Sequence, residues 1–279
     1  MENNCDHDCE HCIEDCEERE TPNKIQKLKP NEASNIKKII GIVSGKGGVG
    51  KSFVTALLAS HMTDQGFKIG IMDADMTGPS IPKMFGIHRK AKDCDFGILP
   101  ERSAKGIDII SINLLIPDET DPVVWRGPLL SSAVSQFFTE VVWKDIDYLF
   151  VDMPPGTADV SLTVFQSLPI DGIIVVTSPQ ELVSMIVGKS VKMAEMLSIP
   201  ILGIVENMSY YICPNCQKPH HPFGPSKLDE LAKTYKIDTL ARLPISRDYS
   251  LAADAGKIEL LQVNELEAMI HKIISIFEE

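Results

Sequence analysis

From Asn35 onward, short apolar runs alternate with longer amphipathic segments. Seven runs read as strands: KIIGIVS (38–44), KIGIMD (68–73), IDIISIN (107–113), DYLFVD (147–152), GIIVVTS (172–178), PILGIVE (200–206) and a weaker DTLARLP (238–244). Most are continuously apolar rather than alternating, as strands covered on both faces should be. The pattern predicts an α/β fold with a doubly wound, mainly parallel sheet. The segments between agree. Ser52 to Gln65 has a helical pattern and stops at Gly66, where a left-handed cap suits glycine. Ser226 followed by Asp229 resembles a capping box, after which Leu228, Leu231, Ala232 and Tyr235 mark one helical face. No repeat of 20 to 50 residues recurs.

Length and composition add bounds. With 279 residues, 44% of them hydrophobic, the chain can bury a sizeable core, which excludes disorder throughout. Its 27 basic and 39 acidic residues give a formal charge of −12, which argues against a general grip on nucleic acid or anionic lipid. There is no run of about 18 uncharged apolar residues, and no basic stretch leads into an apolar one at the start. We therefore expect a cytoplasmic protein, neither membrane-spanning nor secreted.

The charge is unevenly placed. Residues 1–20 hold nine acids against Arg19 alone, a charge of −8, which leaves −4 for the other 259 residues. Four of the seven cysteines, Cys5, Cys9, Cys12 and Cys16, lie in that same stretch. The expected organisation is an acidic Cys-rich metal-binding tail (1–20), a linker (21–34) containing Pro22, Pro30 and three lysines, and one domain (35–279).

The most specific motif is Gly45-Lys46-Gly47-Gly48-Val49-Gly50-Lys51-Ser52, a G-x-x-x-x-G-K-S loop between a predicted strand and a predicted helix. Its glycines let backbone amides converge on phosphate oxygens at the positive end of the helix. Lys51 should reach the β and γ phosphates of ATP, and Ser52 should ligate Mg²⁺. Asp73 and Asp75 follow the second strand, where one carboxylate can hold Mg²⁺ through water and another can orient an attacking water. Asp152 ends the fourth strand; an Asp there also suits a plain helix cap.

Cys213-Pro214-Asn215-Cys216 is a C-x-x-C pair after the sixth strand. Two thiolates are half of a tetrahedral or cluster site, since Zn²⁺ and iron–sulfur clusters take about four protein ligands. Two copies facing each other across a two-fold axis would supply four thiolates and share one [4Fe–4S] cluster. His220 and His221 could instead complete a zinc knuckle, and a redox-active pair is a further possibility. The tail cysteines, spaced 4, 3 and 4, would span roughly 16 Å on a helix, too long for one cluster, so single-site ligation there needs a non-helical chain. An iron–sulfur site, a zinc site kept open by His7 and His11, and a tail that only scavenges metal all fit. Cys94, alone in a predicted loop, reads as a bystander.

The extra lysine of the loop, Lys46, gives the G-K-G-G-x-G-K-S form, which resembles the deviant-loop ATPases related to nitrogenase iron protein, MinD and ParA. That resemblance implies an ATP-dependent homodimer in which Lys46 reaches the partner's nucleotide. It also implies that Asp75 positions water, that Asp73 supports the metal shell, and that Asp152 is the Walker B aspartate. Asn207, in GIVENMS, matches the asparagine that reads the adenine edge in this group, although a buried Asn satisfying loop backbone would suit the same place. The C-x-x-C placement, with DADMTGPS, VVWRGPLLSSAVSQF, VDMPPGTADV, TSPQELV, VENMSYYICPNC and LPISRDYSLAADAGK, narrows the resemblance to the Mrp/ApbC/Nbp-type iron–sulfur cluster carriers, from about Ile39 to Leu261.

By that resemblance Cys213 and Cys216 are the cluster ligands, and the partners are apo iron–sulfur recipients and cluster scaffold or donor proteins. Eukaryotic Nbp-type relatives carry an N-terminal [4Fe–4S] cluster on four cysteines, but with wider gaps than those of Cys5 to Cys16. Other classes fit the sequence less well. A MinD-like or ParA-like spatial ATPase would want a basic membrane helix or a basic DNA-binding surface, whereas the C-terminal ELEAMIHKIISIFEE holds four glutamates and one lysine. An electron donor like nitrogenase iron protein would place its cluster cysteines on two separate loops. A zinc-binding adaptor would leave Asp75 and Asp152 without a role.

Overall fold

The computed structural model describes residues 27–278 apart from 77, 118–126, 157–158 and 180–182. Cys5, Cys9, Cys12 and Cys16, and with them the expected metal-binding tail, lie outside the described residues. In chain order the elements are β1 (Asn35–Val43), α1 (Lys51–Asp64), β2 (Ile69–Asp73), α2 (Ile81–Met84), β3 (Lys92–Cys94), β4 (Gly97–Leu99), β5 (Glu101–Arg102), β6 (Asp108–Ile110), α3 (Gly127–Thr139) and β7 (Asp145–Asp152). There follow α4 (Asp159–Ser167), β8 (Gly172–Thr177), α5 (Val183–Met196), β9 (Ile201–Ile212), β10 (Pro219–His220), α6 (Leu228–Tyr235), β11 (Thr239–Pro244), α7 (Arg247–Asp254) and α8 (Glu267–Glu278).

All seven expected strands are present and lie parallel in one sheet, in the order β11-β9-β8-β1-β7-β2-β6. The antiparallel β5 borders β6, and β10 pairs with the far end of β9. Successive residues of the central strands feed opposite cores, as a period of two requires. Ile39, Leu149, Ile173 and Val175 face Phe137, Phe138, Val164 and Val187 of α3, α4 and α5. Ile40, Ile42, Phe150 and Ile174 face Leu57 and Leu58 of α1 and Met269, Ile270 and Ile273 of α8. That double covering is why the strands read as continuous apolar runs. It also shows where the apolar stripe of α8 goes: into the body of the protein. Among the described residues no helix is long and apolar enough to cross a membrane.

The helix after the phosphate loop behaves as its sequence implies. At the end of α1 the amide of Phe67 donates to Met62 O at 3.2 Å and that of Gly66 to Thr63 O at 2.9 Å, with Gly66 left-handed at φ 93°. Two local expectations need correction. Ser226 is not the N-cap of α6: Lys227 holds that position without a side-chain cap bond, while the Ser226 hydroxyl accepts from Leu228 N at 3.2 Å and donates to the buried Glu206 at 2.9 Å. Cys94 lies at the end of β3 in a short hairpin with β4 rather than in a loop.

The segment before β1 is tied down from residue 27 onward. Lys27 Nζ donates to Phe165 O at 2.7 Å, Leu28 N to Ser167 O at 2.8 Å, and Trp143 N to Ser34 Oγ at 2.8 Å. Residues 27–34 of the expected linker thus lie against the domain, and 21–26 are outside the described residues.

Candidate functional site

The parallel sheet brings the carboxyl ends of β1, β7 and β2 side by side, with Ile42 in register with Asp152 and Asp152 with Asp73. In an open α/β sheet the crevice beyond those ends is where ligands bind. Residues 45–50 leave β1 there and turn back into α1. The turn needs left-handed residues, and Gly48 (φ 79°) and Gly50 (φ 83°) supply them. Gly50 caps α1, whose N-terminal amides face the crevice. Lys46 sits half-buried within the loop.

The charged groups converge at the start of α1. Lys51 Nζ lies 2.8 Å from Asp152 Oδ1 and 4.0 Å from Asp75 Oδ2. Ser52 Oγ donates to Asp152 Oδ2 at 2.5 Å. The single proton of Thr55 Oγ1 is shared between Asp152 Oδ1 at 2.9 Å and Lys51 O at 3.0 Å. Asp73 accepts from Asp75 N at 3.2 Å and from Ser111 Oγ at 2.9 Å. Burial, reinforced by the neighbouring Asp152 carboxylate, pushes the Asp73 carboxyl up to about 8, against the opposing pull of Lys51.

Two clefts meet at Gly50. One, of about 300 Å³, is lined by the loop, Asp75 and Pro155, and by Ser44, whose buried hydroxyl has no partner among the described residues. The other, of about 430 Å³, is lined by Phe53, Asn207, Met208, Pro244 and Tyr249 among others. The rings of Phe53 and Tyr249 tilt against each other with centroids 5.5 Å apart. Their flat apolar surfaces suit a base beside a phosphate cleft.

Asn207 lines the second cleft and bonds to the loop that lines the first, but not from a strand end. β9 continues through it to Ile212, with a break in register against β11 where Met208 turns left-handed at φ 56°. Asn207 Nδ2 donates to Val49 O at 2.9 Å and its Oδ1 accepts from Met208 N at 3.0 Å. In this state its side chain serves loop backbone, the second of the two roles its position suggested. One N–H and one lone pair of the carboxamide stay available to a ligand.

The same strand leads to the thiols. Cys213 and Cys216 occupy the tight tip of a hairpin between β9 and β10, not an open loop. Cys213 N donates to Lys218 O at 3.0 Å, Gln217 N donates to Cys213 O at 2.9 Å, and Gln217 is left-handed at φ 57°. The backbone amides of Cys216 and Asn215, and then the Cys216 thiol, are aimed at Cys213 and hold its thiol below the usual range. Cys216 is exposed and Cys213 half-buried.

The structure therefore gathers Lys51, Ser52, Asp73, Asp75 and Asp152 at one end of the sheet and places Cys213 and Cys216 just past the end of β9. Sequence reasoning missed Thr55 and Ser111. Thr55 could have been found by its place four residues after Lys51 on the same helical face. Nothing in the sequence ties Ser111 to Asp73.

The model of the NUBPL iron-transfer P-loop NTPases, within the ParA group, matches residues 35–278. A Clostridium perfringens protein named iron-sulfur cluster carrier protein is 43% identical over 233 residues, covering 81% of this chain and 82% of that protein. A Methanocaldococcus jannaschii protein of the same name is 47% identical over 232 residues, covering 82% and 80%. Among solved structures, a nucleotide-binding protein from Archaeoglobus fulgidus, described in complex with ADP and with cobalt, is 42% identical, covers 83% of this chain and 91% of its own, and superposes with a TM-score of 0.76.

Proposed function

The chain belongs to the NUBPL-type iron-transfer P-loop NTPases, and on that premise we propose that it is an ATP-hydrolysing iron–sulfur cluster carrier, which holds a [4Fe–4S] cluster and passes it to apo-proteins. The observation that carries this reading is the course of β9, which lays Asn207 against the phosphate loop at Val49 and, six residues on, delivers Cys213 to an exposed hairpin. At about 3.3 Å per residue the two sites are at most ~20 Å apart along one strand.

At the nucleotide end, the loop amides and Lys51 bind the phosphates of ATP. Ser52, Asp152 and Asp73 present hard oxygen donors, the set Mg²⁺ prefers, and Ser52 and Asp152 already touch each other. They would hold that ion, which when bound neutralises phosphate charge. Lys51, paired with Asp152 in the free protein, turns to the β and γ phosphates. Asp75 orients the water that attacks the γ-phosphorus; the bond to the β–γ bridging oxygen breaks, and ADP and phosphate leave. Such a step needs positioning more than a strong base, so unaided turnover is slow. Lys46 completes the site of a second copy, making the working unit a homodimer.

At the other end, Cys213 and Cys216 of each copy supply four thiolates to one shared cluster. Scaffold or donor proteins load it and apo iron–sulfur proteins receive it, in the cytoplasm. The tail of residues 1–20, with Cys5, Cys9, Cys12 and Cys16, is a second metal-binding segment joined by residues 21–34 to the ATPase domain of residues 35–279.

The test is anaerobic reconstitution with iron and sulfide, using the parent chain and a full-length variant with Cys5, Cys9, Cys12 and Cys16 changed to Ser. About two iron and two sulfide per chain should survive the tail changes, vanish in Cys213→Ser, and reactivate an apo iron–sulfur enzyme. Iron bound without labile sulfide, or a cluster that never leaves, overturns the reading.

A further inference from the structure

The hairpin tip holds more than two ligands. The register of β10 on β9 pairs His220 with Tyr211 and Pro219 with Ile212, which folds His220 back beside the thiols. The Sγ atoms of Cys213 and Cys216 and a ring nitrogen of His220 all lie within 4.8 Å of one another. A tetrahedral ion with bonds of ~2.3 Å to sulfur and ~2.0 Å to nitrogen sets its ligand atoms about 3.5–3.8 Å apart, so rotamer adjustments alone would close the three around one ion. The adjacent histidine is placed differently: His221 Nδ1 contacts Ser209 O at 3.2 Å. His220 is exposed and its ring makes no hydrogen bond among the described residues, so a metal would take nothing from the fold.

We propose that Cys213, Cys216 and His220 of a single chain form a mononuclear site for a thiophilic divalent cation of the Zn²⁺ class, with the fourth position open to solvent. Softness and count favour this class: two sulfurs and an imidazole suit Zn²⁺ or Co²⁺ and not Mg²⁺ or Ca²⁺. A dication with two thiolates and a neutral imidazole is electrically neutral, so a single chain satisfies this ion without a second copy. Binding releases the two thiol protons to solvent and involves no redox change. Because the same thiols hold the proposed shared cluster, an ion here occupies its ligands and blocks cluster loading until it is displaced through the open position. The site itself does not depend on the cluster reading.

Anaerobic titration with Co²⁺ alone tests it, using the full-length chain with Cys5, Cys9, Cys12 and Cys16 changed to Ser. The expected result is saturation at one cobalt per chain, with sulfur-to-cobalt charge transfer and the d–d bands of four-coordinate cobalt. His220→Ala should weaken binding at least ~10-fold with an unchanged melting curve, and His221→Ala should leave binding intact. Saturation at half a cobalt per chain, or parental affinity in His220→Ala, overturns the proposal. Cluster transfer, measured separately with iron and sulfide, distinguishes its failure from that of the carrier reading.

Discussion

The side-chain nitrogen of Asn207 occupies the space that any side chain on Gly50 would need: a Cβ there would stand 2.2 Å from Asn207 Nδ2. One residue is the last glycine of the phosphate loop and the other lies on the strand that leads to the thiols. The loop can take its shape only because Gly50 lacks a side chain and accepts φ 83°. The absent Cβ lets the Asn207 carboxamide reach Val49 O at 2.9 Å.

Gly50→Ala should therefore fold and bind nucleotide more weakly. The left-handed backbone costs an alanine about 1–2 kcal/mol, and the clash drives Asn207 away from the loop. Titration with a fluorescent ATP analogue should show at least a roughly tenfold loss, about 1.4 kcal/mol. Asn207→Ala removes the obstruction while leaving the backbone strain. The double variant should then fall short of the sum of the single losses by about 1 kcal/mol, as expected of residues in contact.

Thr55 gives a second prediction. Thr55→Val removes the hydroxyl donor 2.9 Å from Asp152 Oδ1 while preserving shape, and should lower stability by about 1–3 kcal/mol in denaturant unfolding. Hydrolysis should fall with it, because Asp152 also fixes Lys51 and Ser52. Thr55→Ser should restore both. A Val variant with parental turnover would mean that Lys51 and Ser52 alone orient the carboxylate.

The seven parallel strands were legible because burial on both sides leaves a continuous apolar run, as in IIGIV and YLFV. The length of β9 was not. Asn207 and Met208 read as the exit from a strand, yet Met208 takes a left-handed conformation at φ 56° that absorbs the irregularity and lets pairing continue to Ile212. The P-loop residues were legible from spacing because the motif is local. Thr55 shares a helical face with Lys51, four residues before it, but that spacing names no partner, and the Asp152 it serves lies 97 residues away. The histidines show the same limit: either could approach the cysteines by composition, and only the register of β10 selects His220.

Two tyrosines near the base cleft should titrate late. Burial, with Glu265 adding to it, pushes both Tyr210 and Tyr249 up to about 12, and Tyr210 donates to Glu265 Oε1 at 3.0 Å. Ultraviolet titration of phenolate should show these two lagging the ordinary tyrosine range, with Tyr249→Phe and Tyr210→Phe each removing one late step. Both folded values lie above the unfolded one. The stability they confer is thus complete below about pH 10 and is lost as pH rises toward 12.

Asp73 should make the nucleotide-free protein less stable as pH rises across the neutral range. Its folded value of about 8 stands above the reference 3.8, so the fold favours the protonated form. That preference is fully present below about pH 4 and is lost progressively up to about pH 8. Asp73→Asn keeps an oxygen for Asp75 N and an amide for Ser111 Oγ, and it cannot ionise. Measured without nucleotide or Mg²⁺, the asparagine variant should match the parent near pH 4 and exceed it by a few kcal/mol, in order of magnitude, at pH 8. The same variant should bind Mg·ATP more weakly, because the carboxylate that burdens the empty site is one of the oxygens proposed to hold the ion. Stability curves for parent and variant that stay parallel from pH 4 to 8 would show that Asp73 is already ionised, its charge met by Lys51.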